Sequence, residues 1–339
     1  MKTEFEKSDW PLIGNSHIFE FLSKSLSKNS IAGSYVFAGP EGLGKSTAAN
    51  FFARSLVCED KNRSVSACGK CKSCVKASKG AHSDIYLIKK QEDKKNISIE
   101  QVRDFIRSLS MSSFLNSYKI GIIKGAEALS QGAVNALLKT LEEPKTKVVV
   151  ILTVTAAEDL PKTILSRSQI LNFLPVKSSD IYDDLARNHK VSRSQAKNFS
   201  RLAAGRPALA LKFLEEKEYY KNYENIAGAF PEFLSNDINS RFGAIENILG
   251  KESRGQESAG VAAGAIQIWM NMARDLMLLK LDMPDLIQHE AFLAELAEAK
   301  GKFDIKYILN LMNILKRSMA YLSANVNPKL ALESAAAGF

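Results

Sequence analysis

Apolar residues follow two regimes along this chain. Between residue 35 and about residue 173, short apolar runs alternate with stretches in which apolar side chains recur every three or four positions. Beyond Pro175 only the second pattern remains. Residues 35–38, 119–123 and 148–155 have strand length. The last run is almost wholly β-branched, which suits a central parallel strand covered on both faces. Residues 82–88 end in alternation and predict another strand, and 170–173 a last one. Between them, residues 46–56 read as an amphipathic helix. Ser98 opens a helix that runs to about Ser110, with Ser98 capping and Gln101 answering it in a capping box. Residues 131–143 place Val134, Leu137, Leu138 and Leu141 at i, i+3, i+4 and i+7, and Pro144 ends that helix. Strands alternating with helices predict a doubly wound parallel sheet.

The remainder predicts helices alone, so the fold class is α/β followed by all-α. Residues 178–214 form several short helices interrupted at 203–207. Residues 304–322 give the clearest periodicity, with Ile305, Ile308, Leu309, Met312, Leu315, Met319 and Leu322 on one face. That stripe is read first as core and second as a surface for neighbouring subunits. The Gly/Ser-rich residues 251–264 are expected to form a flexible connection.

Composition narrows the class without naming a function. A chain of 339 residues exceeds what one core supports, so two or three domains are expected. No apolar run approaches the roughly 20 residues of a membrane helix, and the first eight residues lack a hydrophobic signal segment. A cytoplasmic location and no membrane partner are expected. The net charge of +9 permits contact with nucleic acid or an acidic partner but is no signature of either. The run at Lys89, Lys90, Lys94 and Lys95 reads as solvated surface.

The chemistry concentrates at two places. Residues 39–46 read GPEGLGKS, a complete G-x-x-x-x-G-K-[ST] phosphate-binding loop between a predicted strand and a predicted helix. Gly39 and Gly44 permit backbone angles and close approach that a Cβ forbids. Successive N–H groups can then face phosphate oxygens at the N-terminus of the next helix. Lys45 is expected to neutralise the outer phosphates and the Ser46 hydroxyl to reach Mg²⁺. With Gly42 and Thr47 these residues form the candidate site for ATP or ADP.

All four cysteines, Cys58, Cys68, Cys71 and Cys74, fall within 17 residues as C-x₉-C-x₂-C-x₂-C. Two overlapping C-x-x-C turns present three thiolates to one point, and Cys58 returns from the end of the preceding helix. That predicts a closed, structural zinc site. The alternatives are an iron–sulfur cluster and free thiols; a cytoplasmic chain argues against disulfides.

With these motifs placed, the chain resembles the bacterial clamp-loader subunits of DNA polymerase III, within the AAA+ ATPase superfamily. The resemblance rests on NALLKTLEEP at 135–144, on Leu165-Ser-Arg-Ser168, which is similar to a Ser-Arg-Cys motif, on the cysteine module after the phosphate-loop helix, and on NPKLALE at 327–333. It implies a RecA-like nucleotide domain over residues 1–174 with the zinc module at 58–74. It also implies a helical lid over 175–215 and a helical collar over 216–339. The implied task is the opening of a sliding clamp and its placement on primed DNA, alongside gamma or tau motor subunits and a delta subunit.

Two subunit types fit that outline, the hydrolysing gamma or tau type and the delta-prime type. The resemblance implies that a hydrolysing subunit ends the strand at 119–123 with Asp-Glu; here Lys124 and Gly125 follow. Glu127 stands two residues further on, about 6–7 Å along an extended chain, and a general base must act within about 3 Å or through one water, so Glu127 is a poor substitute unless a bulge brings it in. In the lid, Ala208 takes the place of a phosphate-touching Arg, and Arg206 is offset. Arg167 is kept, and the resemblance implies that it acts in trans on ATP held by the adjacent subunit. The pattern is that of a delta-prime stator with little turnover of its own. The alternatives are a gamma or tau motor and, from another class, an unrelated nucleotide kinase.

Overall fold

The computed structural model describes residues 10–60, 66–91, 94–111, 113, 118–142, 147–250 and 256–338. Two compact units make up the chain, one of residues up to 181 together with 205–208, the other of 182–204 with 209 onward.

The first unit is built on five parallel strands: β1 (Ser34–Ala38), β2 (Ile85–Lys89), β3 (Lys119–Lys124), β4 (Val148–Val154) and β5 (Gln169–Asn172). Their order is β2-β3-β4-β1-β5, which puts the β-branched β4 in the centre. Side chains alternate faces at period two. Tyr35 and Phe37 of β1, Ile120 and Ile122 of β3, and Val149 and Ile151 of β4 pack on one face with helices α1 (Ser16–Ser27) and α2 (Lys45–Leu56). Val36, Ile123, Val150 and Leu152 pack on the other. Two further helices cover that face. They are α4 (Ile99–Ser110) and α5 (Gln131–Glu142). Helix α3 (Lys72–Ser78) packs on α2, and α6 (Lys162–Leu165) is a single turn before β5. Burial on both sides is why the three inner strands β1, β3 and β4 read as continuous apolar runs.

The sequence signals hold locally. Ser98 caps α4 with both bonds of the capping box, Gln101 N–H to Ser98 Oγ at 3.3 Å and Ser98 N–H to Gln101 Oε1 at 3.1 Å. Gly121 of β3 has no room for a side chain, since a Cβ there would lie 2.2 Å from Phe105 Cζ. Helix α5 buries Val134, Leu137 and Leu141 as its spacing predicts. Glu143 and Pro144, the predicted stop, lie outside the described residues.

The region beyond the sheet is helical throughout its described residues. Its elements are α7 (Ser178–Asn188), α8 (Arg193–Leu202), α9 (Pro207–Glu215), α10 (Lys217–Gly228), α11 (Phe230–Phe233), α12 (Ile238–Leu249), α13 (Gln256–Lys280), α14 (Leu293–Lys302), α15 (Ile305–Ser323) and α16 (Pro328–Ala337). Two expectations are corrected here. Residues 256–264 are not a flexible connection but the start of the 25-residue α13. Ala262 and Ala265 are buried there ahead of Trp269, and tertiary packing outweighs the helix cost of Gly260 and Gly264, about 1 kcal/mol each. Residues 251–255 lie outside the described residues. Along α15 the buried face is Ile308, Leu311, Ile314 and Leu315, while Ile305 and Leu309 are exposed. Because α15 packs on both α13 and α16, its core face is turned from the predicted stripe.

The second unit also buries a polar constellation. Asp275 Oδ2 meets His289 Nδ1 at 2.8 Å and accepts the N–H groups of Gln288 and His289 at 2.9 Å each. Tyr223 hydroxyl lies 2.8 Å from His289 Nε2. Asp275 and His289 are fully buried, so the group has no opening for a substrate and acts as an internal brace.

Candidate functional site

The phosphate-loop residues occupy the turn between β1 and α2. Phe173 N–H donates to Ala38 O at 2.7 Å, and Gly39 N–H to Val154 O at 3.2 Å, so both neighbouring strands pin the start of the loop. Gly39 has φ 146°, and a Cβ on it would lie 2.5 Å from Phe173 O, so only glycine fits. Gly44 caps α2 in a left-handed conformation, and Lys45 is the first residue of that helix. Lys45 Nζ folds back onto the loop, donating to Gly39 O and, at 2.8 Å, to Pro40 O. Burial pushes the Lys45 ammonium below its ordinary pKa, and the charges of Glu41 and Glu127 oppose that shift.

A cleft of about 380 Å³ opens above the loop, within the size range of small-molecule sites. Gly42, Gly44, Lys45, Ser46 and Thr47 line one side, so five of the six predicted loop residues come together there; Gly39 positions them from below. The opposite wall is the end of the sheet, with Lys124, Gly125 and Glu127 after β3 and Thr153 and Thr155 at and after β4. Ala208 also reaches the wall, its N–H donating to Gly42 O at 3.0 Å. Arg206 packs its stem beside Gly42.

Glu127 departs from expectation. The chain beyond β3 is not extended. Gly125 takes φ 67° and residues Ala126–Ala128 form a 3₁₀ turn, which curls Glu127 back into the cleft wall. Its Oε1 accepts the Thr155 hydroxyl at 3.0 Å. Spacing along an extended strand misses this; the signal available was Gly125 itself, a residue suited to positive φ. Glu41 and Thr155 were missed as well, because nothing but their place around the loop distinguishes them.

Arg167 lies apart from this cleft, in the turn after α6. It pairs with Glu142 at the end of α5 at 3.1 Å and donates to Thr163 O at 3.0 Å. Its side chain keeps 37% exposure. Ser168, at the Cys place of the motif, bonds Ser34 Oγ at 2.8 Å and Ile164 O at 2.9 Å, which ties α6 to β1.

The four cysteines converge. Cys58 follows α2, Cys71 caps α3 and Cys74 sits in its first turn. Their Sγ atoms all lie within 4.8 Å of one another, with Cys68 and Cys74 3.9 Å apart. A tetrahedron with Zn–S of about 2.3 Å has edges of about 3.8 Å, so the cluster is able to coordinate a metal such as zinc. Backbone N–H groups of Cys68, Cys71 and Cys74 each point at a sulfur at 3.4 Å. N–H groups of Cys71 and Lys70 lower the Cys68 thiol to about 7, while burial pushes that of Cys74 up. Glu59 accepts the Ser73 N–H at 3.2 Å, and Ser55 Oγ accepts the Ala67 N–H at 3.1 Å, which fastens the module to α2.

Sheet order, loop and helix define a P-loop protein of AAA+-like architecture. Residues 14–177 match the family model described as DNA polymerase III, delta subunit. The chain is 34% identical over 170 residues to DNA polymerase III subunit tau of Bacillus subtilis, covering 50% of this chain and 30% of that one. It is 36% identical over 136 residues to subunit delta' of Pseudomonas aeruginosa, covering 40% and 41%. Among solved structures, a gamma subunit-related protein of Thermotoga maritima superposes with a TM-score of 0.49 at 17% identity, over 94% of this chain and 97% of that one. Over these N-terminal residues the chain is similar to the delta-prime, tau and gamma subunits of bacterial DNA polymerase III. It spans less than half the length of those two curated relatives.

Proposed function

We propose that the chain is a clamp-loader subunit of the delta-prime kind, a stator that lends Arg167 to ATP on an adjacent motor subunit. Beside gamma or tau and delta subunits it helps to open a sliding clamp and set it on primed DNA, with residues 216–339 as the collar. The phosphate loop holds ATP or ADP as a structural ligand, and the four cysteines hold zinc. The observation that carries the reading is Lys124-Gly125 at the end of β3, where the family resemblance implies Asp-Glu for a hydrolysing subunit. An ammonium cannot ligate Mg²⁺, and glycine has no base.

A second reading, a gamma-type motor with Glu127 as base, draws on the place of Glu127 in the cleft wall. It predicts hydrolysis by the purified chain that Glu127→Gln abolishes; the stator reading predicts almost none to abolish. The deciding experiment mixes the chain with cognate motor subunits and measures ATPase. Arg167→Ala should lower hydrolysis at the site it serves by at least about tenfold, arginine fingers being worth about 10³–10⁵ in rate. Unchanged hydrolysis by the motor would sink the proposal.

A further inference from the structure

Among the described residues no side chain pairs with one cation of the cleft, Lys124. Lys124 closes β3 in register with Thr153 and lines the cleft half-buried. Two carboxylates, Glu41 and Glu127, line the same cleft. Among the described residues Lys124 nonetheless makes no side-chain hydrogen bond or ion pair. The other lysine of the site, Lys45, is engaged by the carbonyls of Gly39 and Pro40, and Glu127 by Thr155.

We propose that this cleft binds the phosphates of a nucleotide without a divalent cation, the Lys124 ammonium standing where the ion would otherwise sit. The proposal rests on the nucleotide reading of the loop and goes beyond it. Mg²⁺ needs a near-octahedral set of oxygens and is held by one or two carboxylates together with the phosphates. At the end of β3 the cleft offers a like charge instead, which repels the ion. The same ammonium offers three N–H donors to phosphate oxygens, in charge-assisted hydrogen bonds. Mg²⁺ therefore does not fit beside Lys124, whereas a bare di- or triphosphate does. The side-chain oxygens left for a cation are the Ser46, Thr47, Thr153 and Thr155 hydroxyls and the carboxylates of Glu41 and Glu127, of which Thr153, Thr155 and Glu127 are already engaged in hydrogen bonds.

Calorimetric titration of the full chain with ADP and ATP tests this. It compares excess Mg²⁺ with buffer stripped of divalent ions by chelating resin, since a soluble chelator would also attack the cysteine cluster. Affinities of the unaltered chain should agree within about threefold in the two buffers, the ammonium supplying the charge. Lys124→Asp should weaken binding by at least about tenfold without Mg²⁺ and regain it when Mg²⁺ is added. Circular dichroism checks that the variant is folded, and Lys45→Ala locates the heat at this loop by removing it. A tenfold loss of affinity for the unaltered chain in stripped buffer overturns the inference and leaves the nucleotide reading standing. If that loss disappears in Glu127→Gln, Glu127 is the magnesium ligand and the inference is likewise overturned. Absence of binding in both buffers removes the nucleotide reading and the inference together.

Discussion

Individual residues divide by what surrounds them. Arg167 has a cis partner in Glu142, and both are substantially exposed, so the pair contributes at most about 1 kcal/mol. Glu142→Gln should therefore leave the unfolding midpoint within experimental error and leave motor ATPase in the mixed complex intact, while Arg167→Ala lowers that ATPase. Equal loss in both variants would mean that Arg167 serves its own fold. Gly121 is the opposite case, invisible as a functional residue yet intolerant. Gly121→Ala drives a methyl into Phe105 and Leu109 and should cost about 1–3 kcal/mol in denaturant unfolding, with nucleotide binding unchanged. The phosphate loop was legible at this scale because each fixed position answers one steric or electrostatic demand. Glu127 was not, because its place depends on the φ of Gly125, a torsion that residue identity permits without dictating.

Among elements, the inner strands β1, β3 and β4 were legible because burial on both faces leaves only apolar residues to choose from, and β4 could even be placed at the centre. Helix α4 was legible from its cap. The faces of α15 were not, since a helix packed on two partners buries more than one stripe and periodicity locates just one. The start of α13 was hidden by glycines that its neighbours' packing overrides. The cysteine module is the element most readable from spacing and the one with least core of its own. Metal binding in small zinc peptides is worth on the order of 10 kcal/mol. Cys74→Ser should accordingly release about one equivalent of zinc, measured by metal analysis, and expose the α2–α3 contact to protease. A chain that is equally resistant with and without metal would argue against a structural role.

Across the whole molecule, the chain's two tryptophans fall one to each unit. Trp10 is buried against Phe19 and Phe51, and Trp269 stacks on Phe233 and donates to Ile226 O at 2.9 Å. Trp269→Phe thus leaves a fluorophore that reports on the sheet-bearing unit. Nucleotide at a hundredfold excess over its dissociation constant should stabilise the transition seen by Trp10 by about 2.7 kcal/mol. No shift at saturating nucleotide would place the ligand elsewhere or nowhere. Helix α2 joins the two candidate sites. It starts at Lys45, runs about 18 Å at 1.5 Å per residue, and Cys58 stands two residues beyond its end. On the proposed reading it is a strut moored at both ends, by phosphate contacts at one and metal-bound sulfur at the other. Starving the cell of zinc would slacken the far mooring and so loosen the grip on nucleotide, with every residue of the cleft unaltered.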